Sequence, residues 1–406
     1  MSFNAIVGQS GGPTAVINAS LAGVFEAAKN RGATKVYGMA HGVAGLLDEK
    51  IINLSDIFNT SMEIELLKRT PSSFLGSCRY KLPHFTETTE PYEKIFNTLK
   101  KLHIKYFFYI GGNDSMDTIM KLSDYAKEIN SDISFMGIPK TIDNDLMLTD
   151  HTPGFGSAAK YIGATVKELV RDATVYGTPY VTIVEIMGRN AGWLTASASL
   201  SKSEDCEGVD MLYLPEIPFE IDEFLKKVEA KQKEKKSVVI AVSEGIKMKD
   251  NRYVCELSND ATFVDAFGHR NLTGTARYLA NLTAQNINTK VRSIELSILQ
   301  RCAGHLTSRT DITESYQVGG AAVRAAFNGH TGEMVALKRI SNDPYQCTTE
   351  LRDVHDVANL EKKLPKEWIT KSKTNVTEDF HRYARPLIQA ELTPIFINGL
   401  QRHIKL

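Results

Sequence analysis

A lysine and three aspartates, Lys140, Asp143, Asp145 and Asp150, follow the apolar start of the stretch "IPKTIDNDLMLTD" at residues 138–150. Side chains of an extended segment repeat with a period of two, so Asp143 and Asp145 are predicted to point in the same direction. Two close carboxylates raise the pKa of one of them, whereas a nearby lysine lowers it. An ionised aspartate in this setting can act as a general base toward a hydroxyl group. The alternative interpretation is a solvated acidic loop.

A pair of glycines ends the first predicted strand, in "GQSGGPTAVINAS". Because Gly11 and Gly12 carry no Cβ, the backbone there can approach a ligand closely. Pro13 suits the first position of a helix, and a helix N-terminus offers free N–H groups and a positive dipole end to a phosphate. The stretch predicts a phosphate site, and it fits a plain strand-to-helix turn equally well.

A second glycine pair follows the predicted strand "IKYFFYI" and precedes three polar residues, in "GGNDSMDT" at residues 111–118. Asn113, Asp114 and Ser115 can each cap the next helix, and capping needs only one such residue. The excess of polar groups after Gly112 favours a second phosphate site or a metal site over capping alone.

Four arginines and a glutamate lie in loops or directly after strands. Arg79 lies in "LGSCRY", Arg189 in "VEIMGRNAGW", Glu244 in "SEG", and Arg292 and Arg301 in "VRSIELSILQR". Arginine binds phosphate and carboxylate groups through paired hydrogen bonds. Ligands of open α/β sheets bind beyond the carboxyl ends of the strands. A single arginine is usually a surface residue, but these positions favour anion binding.

Short β-rich runs alternate with amphipathic helical runs along most of the chain. Strands that are apolar on both faces and alternate with helices indicate parallel sheets covered on both sides. The predicted strands span residues 3–8, 35–40, 50–54, 104–112, 133–139, 180–188 and 237–245, and the predicted helices span 14–29, 90–103, 114–129, 156–174 and 221–236.

The predicted fold class is α/β, with two doubly wound, mostly parallel-sheet lobes. A tract rich in Asp, Thr, Pro and Gly at residues 145–160 is predicted to cross between the lobes, and a second crossing is expected near residues 300–304. The β/α rhythm is lost near residue 350. The predicted units are a first lobe of residues 1–150 and about 300–345, a second lobe of residues 151–299, and a helical C-terminal extension at 350–406.

Composition excludes several classes of protein. The 406 residues include 48 Lys and Arg and 48 Asp and Glu, so the formal net charge is zero and gives no general attraction to nucleic acid or membrane. The apolar runs are too short to span a bilayer, and the first residues lack the pattern of a secretion signal. Five scattered cysteines without a C-x-x-C pair indicate neither a zinc site nor a disulfide framework. We expect a cytoplasmic protein.

These motifs together resemble those of one family, the phosphofructokinases. The segments "SGGPTAVIN", "LGSCRY", "GGNDS", "PKTIDND", "TPGFGSA", "VEIMGRNAG", "SEG" and "VRSIELSILQR" occur in the family's order over about residues 10–305. The resemblance implies the phosphofructokinase-like fold and transfer of a phosphoryl group to the 1-hydroxyl of D-fructose 6-phosphate, in glycolysis or gluconeogenesis. It also implies a Mg²⁺ cofactor and a homodimer or homotetramer with shared active sites.

The same resemblance implies roles for individual residues. Asp143 resembles the base that takes the proton of the 1-hydroxyl, and Lys140, Asp114 and Arg189 are the other catalytic residues expected. Arg292 would reach the active site of a neighbouring subunit. The expected donor contacts are Gly11, Gly12, Arg79, Gly112, Asp114 and Lys140, and the expected sugar-phosphate contacts are Thr141, Ile142, Asp143, Asp145, Met187, Gly188, Arg189, Glu244, Arg292, Ile298 and Arg301.

Two positions indicate the phosphoryl donor. Family members that use ATP resemble "GGDGS" and "PGTIDND", whereas this chain has Asp114 and Lys140 in place of two of those glycines. A carboxylate at 114 fills and charges the space of an α-phosphate and nucleoside, and a lysine at 140 supplies a cation to inorganic diphosphate. Phosphoryl transfer depends mostly on positioning and charge neutralisation, so one cation matters. The resemblance is therefore to the diphosphate-dependent branch, which works reversibly.

Two other functions stay open on the sequence: an ATP-dependent 6-phosphofructokinase, and a non-catalytic regulatory subunit of the same fold. Three positions depart from the family pattern. Asn113 replaces an aspartate expected to bind Mg²⁺; its amide oxygen adds no charge, so the metal would rely more on Asp114 and on diphosphate itself. Tyr180 replaces an arginine that in many relatives reaches the neighbour's 6-phosphate, and Ile298 replaces a His or Tyr that lies against the sugar.

Overall fold

The structure, a computed structural model, describes residues 3–175, 177–257 and 272–406. None of the helices in these ranges is long and apolar enough to cross a membrane. The strands are β1 (Asn4–Gln9), β2 (Lys35–Met39), β3 (Ile51–Asn53), β4 (Ile104–Gly111), β5 (Ser134–Pro139), β6 (Tyr180–Ile186), β7 (Met211–Tyr213), β8 (Ser237–Ser243), β9 (Lys290–Glu295), β10 (Glu333–Asn342), β11 (Tyr345–Asp353), β12 (Phe396–Ile397) and β13 (Leu400–Gln401).

Helices alternate with these strands, as the sequence pattern predicts. Short 3₁₀ helices occur in several of the connections. The α-helices are α1 (Ile17–Asn30), α2 (Gly42–Leu47), α3 (Ser61–Arg69), α4 (Glu90–Lys101), α5 (Asn113–Glu128), α6 (Phe155–Ala173), α7 (Trp193–Ala196), α8 (Ile221–Glu234), α9 (Thr275–Asn286), α10 (Leu299–Cys302), α11 (Arg309–Phe327) and α12 (Glu378–Ala384).

The larger of the described sheets has seven strands in the order β11-β10-β5-β4-β1-β2-β3. Its central strands are parallel, and β3 and β11 join as antiparallel edges. Gln9 pairs with Ile110, and Gly111 pairs with Pro139. This register places the carboxyl ends of β1, β4 and β5 side by side.

The four-stranded sheet, called the smaller sheet below, has the order β7-β8-β6-β9, and all of its pairings are parallel. Every residue of β6 and β8 is buried, which is why both appear in the sequence as continuous apolar runs. Ile186 pairs with Ser243 at the carboxyl ends of these two strands. The predicted α/β class with two mostly parallel sheets is confirmed.

Helix α11 returns the chain from the smaller sheet to the larger one and packs closely on α1. A Cβ on Gly23 would lie 2.1 Å from the carbonyl oxygen of Tyr316, and one on Gly319 would lie 2.2 Å from that of Ser20. Real Cβ atoms do not approach a carbonyl oxygen so closely, so the two glycines permit the contact. The second crossing near residues 300–304 stays a prediction.

The start of α1 differs from the prediction. The helix begins at Ile17, after Val16 as its N-cap, so Pro13 is not its first residue. The preceding loop is instead held by tertiary contacts, because the N–H of Ser72 donates a hydrogen bond of 3.0 Å to the carbonyl oxygen of Thr14. A contact with a segment so far along the chain is invisible to a local pattern.

The C-terminal segment also differs from the predicted helical extension. β11 runs to Asp353, and the only α-helix described after it is α12, followed by the short β12–β13 hairpin. The segment follows the surface of the molecule, and Leu364, Phe380 and Leu387 pack into the core beside the smaller sheet. Ile404 packs against the core of the larger sheet. Because these apolar residues pack at separate sites on the two cores, the segment does not need the regular spacing of apolar residues that a helix has.

Candidate active site

A cleft of about 610 Å³ lies where the carboxyl ends of β1, β4 and β5 face those of β6 and β8. This is the edge at which open α/β sheets bind ligands. Most of the predicted site residues line this cleft, namely Gly11, Gly12, Arg79, Gly112, Asn113, Asp114, Lys140, Thr141, Ile142, Asp143, Asp145, Met187, Arg189, Glu244 and Arg301.

The two aspartates lie on the loop that follows β5. Asp143 and Asp145 are half-buried at the cleft, whereas Asn144 between them is buried on the opposite side. Asn144 has a positive φ of 57°, so the segment is a turn and not an extended strand. Its amide oxygen accepts a hydrogen bond of 3.0 Å from Thr152 N, and its amide nitrogen donates one of 2.8 Å to the Tyr383 hydroxyl. These two bonds keep both aspartates directed into the cleft.

Lys140 is 2% exposed and lies at the first glycine pair. Its Nζ donates a hydrogen bond of 2.7 Å to the carbonyl oxygen of Gly12. A Cβ on Gly11 would lie only 3.2 Å from the same nitrogen, so the turn and the lysine fit together closely. Burial lowers the pKa of Lys140 to about 8, although the charge of Asp143 opposes this shift. The lysine therefore remains mainly charged at neutral pH.

Three carboxyl groups, those of Asp143, Asp145 and Glu244, line the same cleft as Lys140. Burial raises the pKa of Asp143, and the charges of Lys140 and Arg189 oppose that rise. Burial and the charge of Asp143 raise the pKa of Asp145 to about 7 and that of Glu244 to about 8. Since close carboxylates resist simultaneous ionisation, the negative charge is best held at Asp143, beside the two cations.

The turn after β1 has the backbone that its glycines permit. Gly11 has a φ of 73°, and its N–H donates a hydrogen bond of 3.1 Å to the carbonyl oxygen of Cys78. The Ser77 hydroxyl donates one of 2.6 Å to the carbonyl oxygen of Gly11. A Cβ on Gly12 would lie 3.2 Å from Nη1 of Arg301, whose pKa is lowered by burial. The turn is thus enclosed by cationic groups.

The turn after β4 presents the N-terminus of α5 to the cleft. Gly112 is the N-cap, and the helix begins with Asn113 and Asp114. Oδ1 of Asn113 is buried and has no hydrogen-bond partner within the described part of the chain. Helix α5, and not α1, therefore supplies the free N–H groups and positive dipole end that were predicted for an anion.

The turn after β6 forms the opposite wall. The N–H of Gly188 donates a hydrogen bond of 3.3 Å to Oε1 of Glu244, and the Ser243 hydroxyl donates one of 2.6 Å to the carbonyl oxygen of Gly188. The N–H of Met187 donates one of 3.4 Å to Oε1 of Gln300. These bonds fix the turn to the end of β8 and to the segment that follows β9, and they direct Met187 into the cleft.

Three predicted residues do not line the cleft. Gly188 lies behind the cleft wall, where its N–H donates a hydrogen bond to Glu244, which lines the cleft. Arg292 is exposed on β9, the edge strand of the smaller sheet, with its guanidinium 5.8 Å from the centre of the Tyr180 ring. Ile298 is 56% exposed, so the structure does not place it against a ligand in the cleft of this chain. Both Arg292 and Ile298 belong to a stretch at the free edge of the smaller sheet, which directs side chains outward.

Sequence reasoning missed a wall made by the C-terminal segment. Asn359, Leu360 and Glu361 line the cleft, and so does Asn190 from the turn after β6. Asn190 stands beside Arg189 in "MGRNAG" and could have been included for that reason. The tail residues have no such signal, because they approach the cleft only through the folding of the chain.

Metal-binding groups in the cleft are few. The described residues contain no group of three or more His, Cys, Asp or Glu side chains placed to hold a metal ion. The oxygens available beside the N-terminus of α5 are those of Asn113 and Asp114. A metal ion there would need further oxygen ligands from a substrate.

The two sheets and the cleft between them define a two-lobed α/β protein whose cleft at the strand ends is lined by both cationic side chains and carboxyl groups. The family described as "Phosphofructokinase" matches residues 4–326. The chain belongs to the phosphofructokinase family, as the motifs predict. The C-terminal segment that walls the cleft lies outside this match.

Individual relatives agree with that assignment. A protein of Halomonas elongata named pyrophosphate–fructose 6-phosphate 1-phosphotransferase is 40% identical, over 99% of this chain and 96% of its own length. A protein of Methylococcus capsulatus with the same name is 39% identical, over 99% of this chain and 96% of its own. The crystal structure of a pyrophosphate-dependent phosphofructokinase from Nitrosospira multiformis is similar with a TM-score of 0.89 and 36% identity, and it covers 99% of this chain and 96% of that one.

Proposed function

We propose that the protein transfers a phosphoryl group reversibly from inorganic diphosphate to the 1-hydroxyl of D-fructose 6-phosphate, giving fructose 1,6-bisphosphate and phosphate. The observation that carries this proposal is the buried ammonium group of Lys140, held at the Gly11–Gly12 turn and close enough to Asp143 to shift its pKa. The relatives of 39% and 40% identity carry the name of this activity, which supports the donor.

The donor fits the cationic part of the cleft. The charges of Arg301 and Arg79 are near enough to Lys140 to lower its pKa further, so three cations converge there. Inorganic diphosphate carries its charge on a compact group and benefits from such convergence. Asp114, in the first turn of α5, adds a carboxylate where a nucleotide would extend. The charge distribution therefore favours a short donor.

The chemistry follows from the position of Asp143. Its carboxylate takes the proton of the sugar 1-hydroxyl while that oxygen forms a bond to one phosphorus of diphosphate. The bridging P–O bond breaks, and the leaving phosphate keeps the electron pair. Lys140 and Arg301 neutralise the charge that develops on the phosphoryl and leaving groups. In the reverse direction Asp143 returns the same proton to the sugar oxygen.

The sugar phosphate fits the opposite wall. With a pKa of about 8, Glu244 is mostly protonated at neutral pH and can both donate and accept hydrogen bonds to sugar hydroxyls. Arg189 and Met187 line the same wall. A protonated Glu244 avoids repulsion between this wall and an anionic substrate.

We propose Mg²⁺ as the divalent ion that phosphoryl transfer in this family normally involves. The residues present fit a hard cation, because the buried Oδ1 of Asn113 lacks a hydrogen-bond partner within the described residues and Asp114 lies next to it. When bound, Mg²⁺ supplies positive charge to the diphosphate oxygens. Since Asn113 is neutral, most of the anionic ligands would come from diphosphate.

We further propose a homodimer or homotetramer with shared active sites. Arg292 is exposed on the edge strand β9 and does not line the cleft of its own chain, so it is available to the 6-phosphate in the cleft of a second copy. A cytoplasmic location remains a prediction from the sequence.

The test is a steady-state comparison of donors with one purified sample. We expect turnover of fructose 6-phosphate with diphosphate and a kcat/KM at least about 100-fold lower with ATP, because the difference of one well-placed cation and one carboxylate is worth a few kcal/mol. A kcat/KM with ATP equal to or above that with diphosphate would overturn the choice of donor. No turnover with either donor would favour the non-catalytic subunit.

A further inference from the structure

We infer that residues 359–362 of the C-terminal segment are a specificity element for the phosphoryl donor, which closes one end of the cleft and admits diphosphate but not longer polyphosphates. We call these four residues the strap. The inference rests on the proposed function and adds residues that lie outside the family match at 4–326.

The strap forms part of the cleft wall itself. Asn359, Leu360 and Glu361 all line the cleft, in the same space as Asp114 and Thr118 of α5. Leu360 is 48% exposed and places an apolar side chain in the lining of a charged cleft. An apolar side chain offers no hydrogen bond to a phosphate, so its effect on an anionic donor is exclusion.

One end of the strap is attached to the helix that presents its N-terminus to the donor. Nδ2 of Asn359 donates a hydrogen bond of 3.1 Å to Oδ1 of Asp117, three residues after Asp114 on α5. Asp117 is itself held by a buried ion pair of 2.6 Å with Lys121. Lys121 donates a further hydrogen bond of 2.9 Å to the carbonyl oxygen of Leu82. Asp117 and Lys121 are buried, so the exposed Asn359 is attached to a fixed point on α5.

The other end of the strap is attached to the opposite wall. Nδ2 of Asn190 donates a hydrogen bond of 3.0 Å to Oε1 of Glu361, directly beside Arg189 of the proposed sugar wall. The strap therefore spans the cleft from α5 to the turn after β6. A donor that reached past Asp114 would meet this bridge.

Lys362 fixes the strap to the loop of the two aspartates. Its backbone N–H donates a hydrogen bond of 2.7 Å to the carbonyl oxygen of Asp145, and its Nζ donates to the carbonyl oxygens of Thr149 at 3.0 Å and Asp150 at 2.8 Å. The side chain also lies 5.3 Å from the centre of the Trp193 ring. Because Lys362 is used in this way, its charge faces the loop backbone and not the donor.

The positive and negative charges of the cleft are therefore placed at different ends. Lys140, Arg79 and Arg301 converge at one end of the cleft. Asp114 lies toward the strap, and Glu361 is part of the strap. The charge of Glu361 is near enough to contribute to the raised pKa of Asp145. A third phosphate extending toward the strap would meet a carboxylate and an apolar side chain in place of a cation.

The experiment compares diphosphate with inorganic tripolyphosphate, which adds one phosphate and no nucleoside. In the full-length protein, the strap is opened by the triple substitution Asn359→Gly, Leu360→Gly and Glu361→Gly, and separately by Leu360→Gly alone. Lys371→Gly, at an exposed position later in the same segment, is the matched control. The measured quantity is kcat/KM with tripolyphosphate divided by kcat/KM with diphosphate.

We expect the wild type to prefer diphosphate, and the triple variant to raise the measured ratio by at least about tenfold, the factor that corresponds to about 1.4 kcal/mol of discrimination. Leu360→Gly should raise it less, and Lys371→Gly should leave it unchanged. If the triple variant does not fold, Leu360→Gly decides the matter, because a half-exposed side chain is dispensable for folding.

Two results would overturn the inference. One is an unchanged ratio in a folded, active strap variant, which would mean that the strap only stabilises the fold. The other is a wild-type enzyme that uses tripolyphosphate as well as diphosphate. Both differ from failure of the proposed function, in which the wild type shows no activity with diphosphate at all.

Discussion

Nζ of Lys140 donates a hydrogen bond of 2.7 Å to the carbonyl oxygen of Gly12. The bond joins the loop that follows β5 to the turn that follows β1, and it holds the ammonium group in a position that is 2% exposed. A buried cation is costly unless it is paired. Asp143 supplies part of that pairing, and an anionic donor would supply the rest.

Removing this cation should weaken diphosphate binding. We expect Lys140→Met to raise KM for diphosphate by about 10- to 100-fold, the range for a lost charge-assisted hydrogen bond in a water-poor site. Lys94→Ala, on the exposed face of α4, is the control. Steady-state kinetics with varied diphosphate measure the effect, and an unchanged KM would remove Lys140 from the donor site. The double substitution Asp114→Gly with Lys140→Gly should weaken the use of diphosphate and shift the preference for the phosphoryl donor toward ATP.

The pH dependence of donor binding should report the same lysine. Because the pKa of Lys140 is lowered to about 8, its charge is present well below pH 8 and is lost as the pH rises through that value. The ratio of KM for diphosphate between Lys140→Met and wild type should therefore be large below pH 8 and approach one above it. Taking this ratio cancels the ionisation of diphosphate itself. A ratio that stays constant with pH would contradict the assignment.

Asp143 should matter for turnover and not for binding. We expect Asp143→Asn to lower kcat by about 10²- to 10⁴-fold, the usual contribution of a general base, with little change in KM for fructose 6-phosphate. Asp132→Asn, on an exposed residue paired with Lys105, is the matched control. A variant whose kcat is within a few-fold of wild type would exclude Asp143 as the base.

Much of this cleft could be predicted because many of its residues follow the end of a strand, although Arg79 and Arg301 do not. The apolar runs at 104–112 and 133–139 locate the ends of β4 and β5, and a parallel sheet then brings those ends together. Asn144 could not be assigned its role in this way. Its side chain lies between Asp143 and Asp145 in sequence, but its partner, the hydroxyl of Tyr383, is 239 residues away.

The C-terminal segment was hidden for a related reason. It packs against both sheets as an irregular chain, so it has neither the helical nor the strand period by which an element is recognised. Its contacts with the cleft depend on single residues such as Asn359, whose partner Asp117 is on a different element. Pro13 shows the same limit, since contacts from residue 72 outweighed its local preference.

A buried histidine should make stability depend on pH. His151 lies between Asp150, at 2.8 Å, and Glu314, at 2.7 Å, and their charges and hydrogen bonds raise its pKa to about 9 from 6.5. Arg339 also contacts Asp150, and the Tyr345 hydroxyl donates to Glu314. A raised pKa stabilises the fold fully below the unfolded value of 6.5, and this stabilisation is lost as the pH rises through 9.

Comparison with His151→Gln isolates this contribution. The loss of unfolding free energy in the variant should be largest below pH 6.5, at roughly 3 kcal/mol, and should shrink as the pH rises to 9. Urea unfolding of both proteins across this range measures it. In the wild type Asp150 and Glu314 remain ionised across this range, because the charge and hydrogen bonds of His151 lower the pKa of each against the effect of burial. A loss that is independent of pH would show that His151 is not protonated in the native state.

Tyr383 should support the catalytic loop from behind. Its hydroxyl accepts the hydrogen bond of Asn144 and donates one of 2.8 Å to the carbonyl oxygen of Asp150. We expect Tyr383→Phe to lower the free energy of unfolding by about 1–3 kcal/mol, because it leaves the buried amide nitrogen of Asn144 without its partner and removes one of the hydrogen bonds to the carbonyl oxygen of Asp150. It should also lower kcat while KM for diphosphate changes little, since Asn144 then no longer fixes the direction of Asp143.

Tyr278→Phe, a half-buried position on α9, is the matched control for Tyr383→Phe. Urea unfolding gives the stability change, and steady-state kinetics at a temperature where both variants are fully folded give the split between kcat and KM. A stability loss with an unchanged kcat would mean that the bond holds the C-terminal segment alone. If kcat falls as expected, a residue beyond the family match positions the base through Asn144, in addition to the bond of 3.1 Å that the N–H of Asp143 donates to the Thr141 hydroxyl within the loop.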